Sequence, residues 1–336
     1  MRDVGMIASV SPRVSIIMPV YNACRSNPRY LQEAMQSIAS QTVQDLEFII
    51  VDDGSTDASA DLIDAFIEAH PQLRAAHYRK DNGGQSSARN DGARRSSGAY
   101  LCFIDQDDLW RPNRLELIYP LLDGTVDVVY TDCDRIGEDG TVLAHEIHRT
   151  LACGVPHPKR SIDDILYKDI FVMPGLMAIK RSVYDEVGGF DERLSGYEDD
   201  DIFLRLFPVS RMVYLSAATL GWRKYGDNYS FSERMINSRE RYWRKLVDQY
   251  AGDRRRQGRI TLRFFRESLI QAVTQYDAGD PQAVRSLRSA RLMLPELPSA
   301  YKAVFQPVFL LQDQAALEFI HGSYAQYRRA KDVVRR

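Results

Sequence analysis

The sequence predicts an α/β protein: a doubly wound, mixed central sheet flanked by helices, followed by a mainly helical C-terminal region. Three observations predict it. Short, nearly continuous apolar runs recur through the first third of the chain, helical apolar patterns separate them, and polar turn residues follow them. Apolar runs with little alternation are what parallel strands buried on both faces look like. Strands alternating with helices make a doubly wound sheet.

In order, residues 14–20 (VSIIMPV) form the first run, 46–51 (LEFIIV) the second, and Tyr100 to Ile104 a later one. Between the first two, Arg29–Ser40 places Leu31, Ala34, Met35 and Ile38 on one helix side, and Leu62, Ile63, Phe66 and Ile67 repeat the pattern after the second. Asp52, Gly54, Ser55 and Asp57 supply turn and capping chemistry before that helix. The pair Gly83-Gly84 precedes a helical stretch with Ser86, Ser87 and Arg89. It is able to aim N–H groups and a guanidinium at phosphate, and equally to be a plain loop and N-cap.

After Trp110 the order becomes mixed. A helix is expected over 114–122, a strand over 126–130, and a polar, loop-rich stretch over 135–170. Short strands follow over 171–215, with a helix from about Lys180 to Val187 and another opening near Asp199. From about Ser232 the pattern is helical, interrupted by Gly258, Gly279-Asp280-Pro281 and Pro295–Pro298.

Composition bounds the function. The 336 residues suit about two domains, and 44% apolar content suits a sizeable core. The net charge of −2 gives no sign of nucleic-acid binding, but it hides an asymmetry. From Tyr250 onward there are 15 Arg and Lys against 8 Asp and Glu, a net +7 that leaves −9 for the rest. Cys24, Cys102, Cys133 and Cys153 have no CxxC spacing and read as small reduced residues of a cytosolic protein. His145 and His148, three apart in an expected surface loop, make no zinc pattern. No signal segment and no span of ~20 apolar residues is present, so the expectation is a cytoplasmic protein, soluble or peripheral at the inner face of the membrane.

Ligands of open α/β sheets sit at the carboxyl ends of the strands. There the chain places Pro19-Val20-Tyr21-Asn22, Asp52-Asp53-Gly54-Ser55 and Asp105-Gln106-Asp107-Asp108. Polar loops and caps account for part of this. Three carboxylates within four positions repel one another unless something positive sits among them. A hard divalent cation, Mn²⁺ or Mg²⁺, answers that. Neither GxGxxG nor GxxxxGK[ST] occurs, so no dinucleotide or P-loop nucleotide is indicated.

The runs VSIIMPVYN from Val14, VDDGSTD from Val51, ARNDGA from Ala88 and FIDQDDLW from Phe103 resemble the family 2 glycosyltransferases, which are inverting enzymes of the GT-A fold. So do VGGFD from Val187 and Glu198-Asp199-Asp200-Asp201 with Arg205; the resemblance spans roughly 12–230. It implies a hexose-type sugar passing from a nucleotide-diphosphate donor, UDP-sugar favoured, to a hydroxyl of a glycan or lipid-linked acceptor in cell-surface polysaccharide synthesis. Pro19 and Tyr21 wall the base pocket in this reading, and Asp53 accepts the imide N–H of uracil. Arg89 reaches the base or diphosphate. Asp107 ligates the metal and Asp105 contacts ribose or metal. Asp199, with the helix N-terminus stabilising its carboxylate, is the catalytic base. Glu198, Asp201, Trp222 and Arg223 fall on the acceptor or diphosphate side. A histidine that many members carry is replaced by Tyr225, so a histidine ligand is unsupported, and either Lys224 or Tyr225 compensates or the metal is held more loosely.

The domain expectation is a catalytic domain over 1–235, with a nucleotide-binding half of about 12–110 and an acceptor-side half of about 111–235, then a helical region over 236–336. In that region Arg285, Arg288 and Arg291 share a face, and Tyr301, Phe305, Phe309, Leu310, Leu317 and Ile320 form an apolar stripe. A helical bundle packed on the catalytic domain or on a second copy, giving a homo-oligomer, is expected ahead of docking on an anionic membrane. Two other functions fit less well: a non-catalytic nucleotide-sugar-binding scaffold, disfavoured because Asp105, Asp107 and Asp199 are all present, and a Mg-dependent phosphohydrolase, disfavoured because the DxD lies after a late strand.

Overall fold

The computed structural model describes residues 12–225 and 233–334, with side chains to residue 324. Gly226, Asp227 and Asn228, part of the expected acceptor-side segment, lie outside the described residues. Contacts between Cα atoms divide the chain into two units: Met1–Ile165 with Asp169–Glu192 and Glu198–Tyr225, and Leu166–Lys168 with Arg193–Tyr197 and Gly226–Arg336.

The strands are β1 (Val14–Val20), β2 (Leu46–Asp52), β3 (Ala75–Arg79), β4 (Tyr100–Phe103), β5 (Leu109–Trp110), β6 (Val128–Ile136), β7 (Val142–Ala144), β8 (Met177–Lys180) and β9 (Met212–Arg223). Helices interleave with them: α1 (Ala23–Ser26), α2 (Pro28–Ala39), α3 (Ser59–Ala69), α4 (Gln85–Arg95), α5 (Arg114–Ile118), α6 (Asp163–Leu166), α7 (Arg181–Glu186) and α8 (Glu198–Leu206). Among the described residues they form one sheet in the order β3-β2-β1-β4-β8-β6-β9-β5, with β7 paired to β6. The first four strands run parallel, and β8 lies antiparallel between β4 and β6. This is the expected mixed sheet.

Every residue of β1, β2 and β4 is buried, which is why their sequences run apolar without alternation. The chain steps from β1 to β2 on one side and reaches β4 on the other, so a crevice opens at the carboxyl ends of β1 and β4. Pairing of β1 with β4 stops at Ile17, so Pro19, which has no N–H to give, falls where that ladder has ended.

Several expectations need correction. β6 runs to Ile136, well past the expected 130, through Thr131, Asp132 and Asp134, all buried. His148, expected on a surface loop, is 1% exposed. In the second unit α9 (Glu233–Gln249), α10 (Arg254–Asp277), α11 (Gln282–Met293), α12 (Ser299–Phe309) and α13 (Asp313–Val334) follow one another. Gly258 does not interrupt them: it lies inside α10, buried, and a Cβ there would sit 3.2 Å from Pro298. Phe309, Leu317 and Ile320 are buried as expected of the apolar stripe, but Leu310 is 83% exposed. The Arg285, Arg288 and Arg291 face is not free charge. Arg285 pairs with Glu240 at 2.7 Å, and Arg288 and Arg291 with Asp313 at 2.8 and 2.9 Å. No helix among the described residues is long and apolar enough to cross a membrane.

Candidate active site

Each strand of the parallel half delivers its loop to the crevice. After β2, Asp53 is 2% exposed and its carboxylate is caged. Oδ1 accepts from Lys80 Nζ at 2.8 Å and Gly83 N at 2.9 Å, and Oδ2 accepts from Gly84 N at 2.7 Å. The two glycine N–H groups are therefore spent on Asp53 and do not form the phosphate cradle that the sequence allowed. After β1, Pro19 is buried and Tyr21 is 45% exposed. The Tyr21 backbone is held by Gln106, whose Oε1 accepts from Tyr21 N at 2.9 Å.

Arg89 sits at the centre. α4 packs so tightly on the sheet that a Cβ on Gly92 would lie 2.5 Å from Ile17 Cγ2, and this approach carries the Arg89 side chain inside. It is 1% exposed, with Nη2 donating to Asp105 Oδ1 at 2.6 Å and Nη1 to Glu198 Oε1 at 3.0 Å. Gln85, at the start of α4, also donates to Glu198 Oε1. The neighbouring Asn90 fixes the 187–190 turn: its Oδ1 accepts from Phe190 N and from Tyr184 Oη, and its Nδ2 donates to Phe190 O. Gly188 and Gly189 in that turn have φ of 77° and 68°, and a Cβ on Gly189 would fall 2.7 Å from Asn90 Oδ1. Glycine is thus required there twice over.

In the acidic loop after β4, the Tyr225 hydroxyl donates to Asp107 Oδ2 at 2.7 Å. Burial, then the charge of Asp105, pushes the Asp107 carboxyl above its ordinary value, and burial pushes Asp108 well above it. Asp108 Oδ1 accepts from Arg223 N at 3.0 Å, behind the loop. Each of Asp105 and Asp107 has a second oxygen that a hard cation can take, and their mutual repulsion is what such a cation relieves. The residues fit a divalent metal.

Arg223, expected at the diphosphate or acceptor side, has a different place. Its side chain is 0% exposed and all three nitrogens are engaged: Nε with Asp107 O, Nη1 with Glu138 O and Nη2 with Glu33 Oε2. It braces the acidic loop from behind. Asp201 likewise holds Arg205, which donates to Val187 O and Gly189 O. Asp199, in the first turn of α8, accepts from Asp200 N at 2.9 Å. The helix N-terminus does not win there: burial, then Glu198, Asp200 and Asp169, raise the Asp199 carboxyl well above its ordinary value. Trp222 is half-buried, edge-on to Phe171 at 5.6 Å, with Lys224 4.7 Å from its ring.

Sequence reasoning missed Lys80, Gln85, Gln106 and Asp169. Only Gln85 had a signal, its place at a helix start beside Arg89. Tyr225, one of the two residues expected to stand in for the histidine, reaches the acidic loop at Asp107.

Comparison with known proteins bears on the family and the fold. The profile of glycosyl transferase family 2 matches residues 15–188. The chain is 30% identical over 233 residues to the hyaluronan synthase of Pasteurella multocida, covering 69% of this chain and 22% of that synthase. It thus spans about a fifth of that relative's length. It is 30% identical over 215 residues to glycosyltransferase GlyG of Streptococcus pneumoniae serotype 4, covering 62% of this chain and 69% of that protein. The crystal structure of S. aureus TarS 1–349 in complex with UDP-GlcNAc superposes with a TM-score of 0.66 at 18% identity, covering 94% of this chain and 92% of that one. The mannosyltransferase PcManGT of Pyrobaculum calidifontis, in complex with GDP-Man and Mn²⁺, gives 0.50 at 18% identity, covering 97% and 88%.

Proposed function

Since the chain belongs to glycosyltransferase family 2, and so is an enzyme that transfers a sugar from a nucleotide donor, we propose that it is inverting and moves a hexose-type sugar from a UDP-sugar to a hydroxyl of a glycan or lipid-linked acceptor. The observation that supports this most is Arg89, which ties Asp105 of the acidic loop to Glu198, the neighbour of Asp199. One buried guanidinium thereby holds the donor side and the base side of the reaction in a fixed relation.

In this reading residues 1–235 are the catalytic domain and 236–336 a helical region. Tyr21 stacks on the base beside Pro19, and Asp53, preset by its three N–H donors, is the hydrogen-bond acceptor that selects uracil. Asp105 and Asp107 would hold the divalent cation, which when bound neutralises charge on the departing diphosphate. Asp199 takes the proton of the acceptor hydroxyl as that oxygen attacks C1, while the bond from C1 to the diphosphate breaks on the opposite face. A carboxyl raised above its ordinary value is the stronger base for this. Glu198, locked by Arg89 and Gln85, positions it, and Trp222 with Phe171 offers an aromatic wall to an acceptor sugar.

A donor panel scored by thermal shift, with and without Mn²⁺, tests the reading. Ligand ~100-fold above its Kd stabilises by roughly 2.7 kcal/mol. UDP-sugars are expected to shift the protein more than GDP- or CMP-sugars, and Asp107→Ala to remove the metal dependence. Equal shifts from all three nucleotides would overturn the uracil assignment.

A further inference from the structure

We propose that Asp132, Cys133 and His148 form a transition-metal site suited to Zn²⁺, distinct from the aspartates of the crevice. The three donors, a carboxylate oxygen, a sulfur and an imidazole nitrogen, lie within 4.8 Å of one another, and the residues are 0%, 0% and 1% exposed. Consecutive residues of an unbroken strand point to opposite faces. The β6–β9 register shifts on both sides of Asp132, and a bulge of this kind re-aims side chains.

The tautomer of His148 carries the argument. Nε2 lies 2.7 Å from the carbonyl oxygen of Phe171, which can only accept, so Nε2 holds the proton. Nδ1 is then a buried lone pair, and it has no hydrogen-bond partner. It faces Asp132 Oδ1 at 3.9 Å, another acceptor. Two acceptors buried face to face are costly unless a proton or a cation lies between them. A ligating histidine that gives its other N–H to a backbone carbonyl has the usual surroundings of a metal ligand. Asp132 is supported the same way: Oδ1 accepts from Cys133 N and His148 N, and Oδ2 from Arg149 N.

Bonds of roughly 2.0–2.3 Å at tetrahedral angles put donors about 3.3–3.8 Å apart. The 3.9 Å pair nearly meets this, and no pair needs to close by more than about 1 Å. A nitrogen, sulfur and oxygen set selects Zn²⁺ over the hard cations that the crevice suits. Beside it His157 stacks nearly parallel on His148 at 3.7 Å, which fixes the plane of the ligating ring and leaves the fourth position to a small ligand such as water. Binding displaces the Cys133 thiol proton to solvent, and the metal pins residues 145–149 to β6.

The test is metal content and spectrum, independent of transfer activity. Protein expressed in ordinary medium should retain one zinc per chain through gel filtration. Protein expressed in zinc-depleted, cobalt-supplemented medium should show a sulfur-to-cobalt charge-transfer band that survives Asp107→Ala and disappears in Cys133→Ala. No retained metal together with no band in the wild type overturns the proposal, as does a band that persists without Cys133. Should Cys133→Ala fail to fold, the wild-type metal count and spectrum decide alone.

Discussion

Replacing Arg89 by methionine should remove the charge that Asp105 and Glu198 share while leaving much of the packing. Glu198 has a 6% exposed side chain and Asp105 35%. Breaking a buried ion pair by deleting one partner costs about 3–5 kcal/mol. Water answers part of the loss at Asp105, and Gln85 still donates to Glu198, so the lower end applies, about 3 kcal/mol. At 2–4 °C per kcal/mol for a unit of this size, Tm should fall by roughly 6–12 °C. The pH dependence follows from Glu198, whose carboxyl burial already raises above its ordinary value, with Arg89 the largest influence opposing the rise. Without Arg89 it rises further. A carboxyl raised in the fold destabilises above its unfolded pKa of about 4.3 and ceases to do so below it. The deficit of the variant should therefore grow as pH rises from about 4 and shrink on acidification. Thermal and urea melts across pH 4–8 measure this, and the double variant Arg89→Met with Glu198→Gln should recover at least ~1 kcal/mol. A deficit under about 1 kcal/mol at neutral pH, or a double variant as unstable as the sum of the two singles, would refute the reasoning.

Asp199→Asn should retain nucleotide binding and lose transfer, yet be more stable than the wild type at pH 8, because it removes a carboxyl that burial raises; the gain should vanish near pH 4. For the wild type, transfer should decline as pH falls through the raised Asp199 value, and a flat acidic limb would count against Asp199 as base. Tyr225→Phe deletes the donor to Asp107, and Mn²⁺ affinity measured calorimetrically with UDP present should weaken by about 10-fold; unchanged affinity would show the hydroxyl to be idle. Gly92→Ala gains about 0.5–1 kcal/mol of helix propensity but forces a Cβ to 2.5 Å from Ile17 Cγ2, an overpacking worth about 1–3 kcal/mol. Net destabilisation is expected in denaturant melts, and because Ile17→Ala removes the clashing Cγ2, the double variant should be less unstable than the sum of the two singles; a stabilised Gly92→Ala would mean that α4 can lift from the sheet freely.

What the sequence made legible follows from burial. β1, β2 and β4 are covered on both faces, so their apolar runs stand out. β3 is only half-buried and gives no such run. The second half of β6 was hidden because its buried Thr131, Asp132 and Asp134 look like loop residues. Their polar atoms are answered by partners far along the chain, such as His148 N and Arg149 N on Asp132 and Arg111 on Asp134. Arg114 was readable as helical but not as core, although it is 0% exposed against Trp110 with Nη1 on Thr131. The crevice aspartates were legible because they follow strands directly. Their partnerships were not: Arg89 meets Asp105 and Glu198 only because α4, the acidic loop and α8 converge in three dimensions. Tyr225 shows the limit of reading by resemblance, since the hydroxyl that reaches Asp107 stands where a different residue type was expected.

The place of β9 bears on how the chain is made. It inserts between β6 and β5, pairing Val128 with Met212 and Trp110 with Leu220, so the far half of the sheet lacks its middle strand until residue 223 has been synthesised. Until then a nascent chain presents the long edge of β6 with its N–H and C=O groups unanswered, a template for unwanted strand addition. Non-local parallel pairing of this kind is slow to form. Chains halted before residue 212 should accordingly collect in insoluble material, whereas release past 223 lets the ladder close.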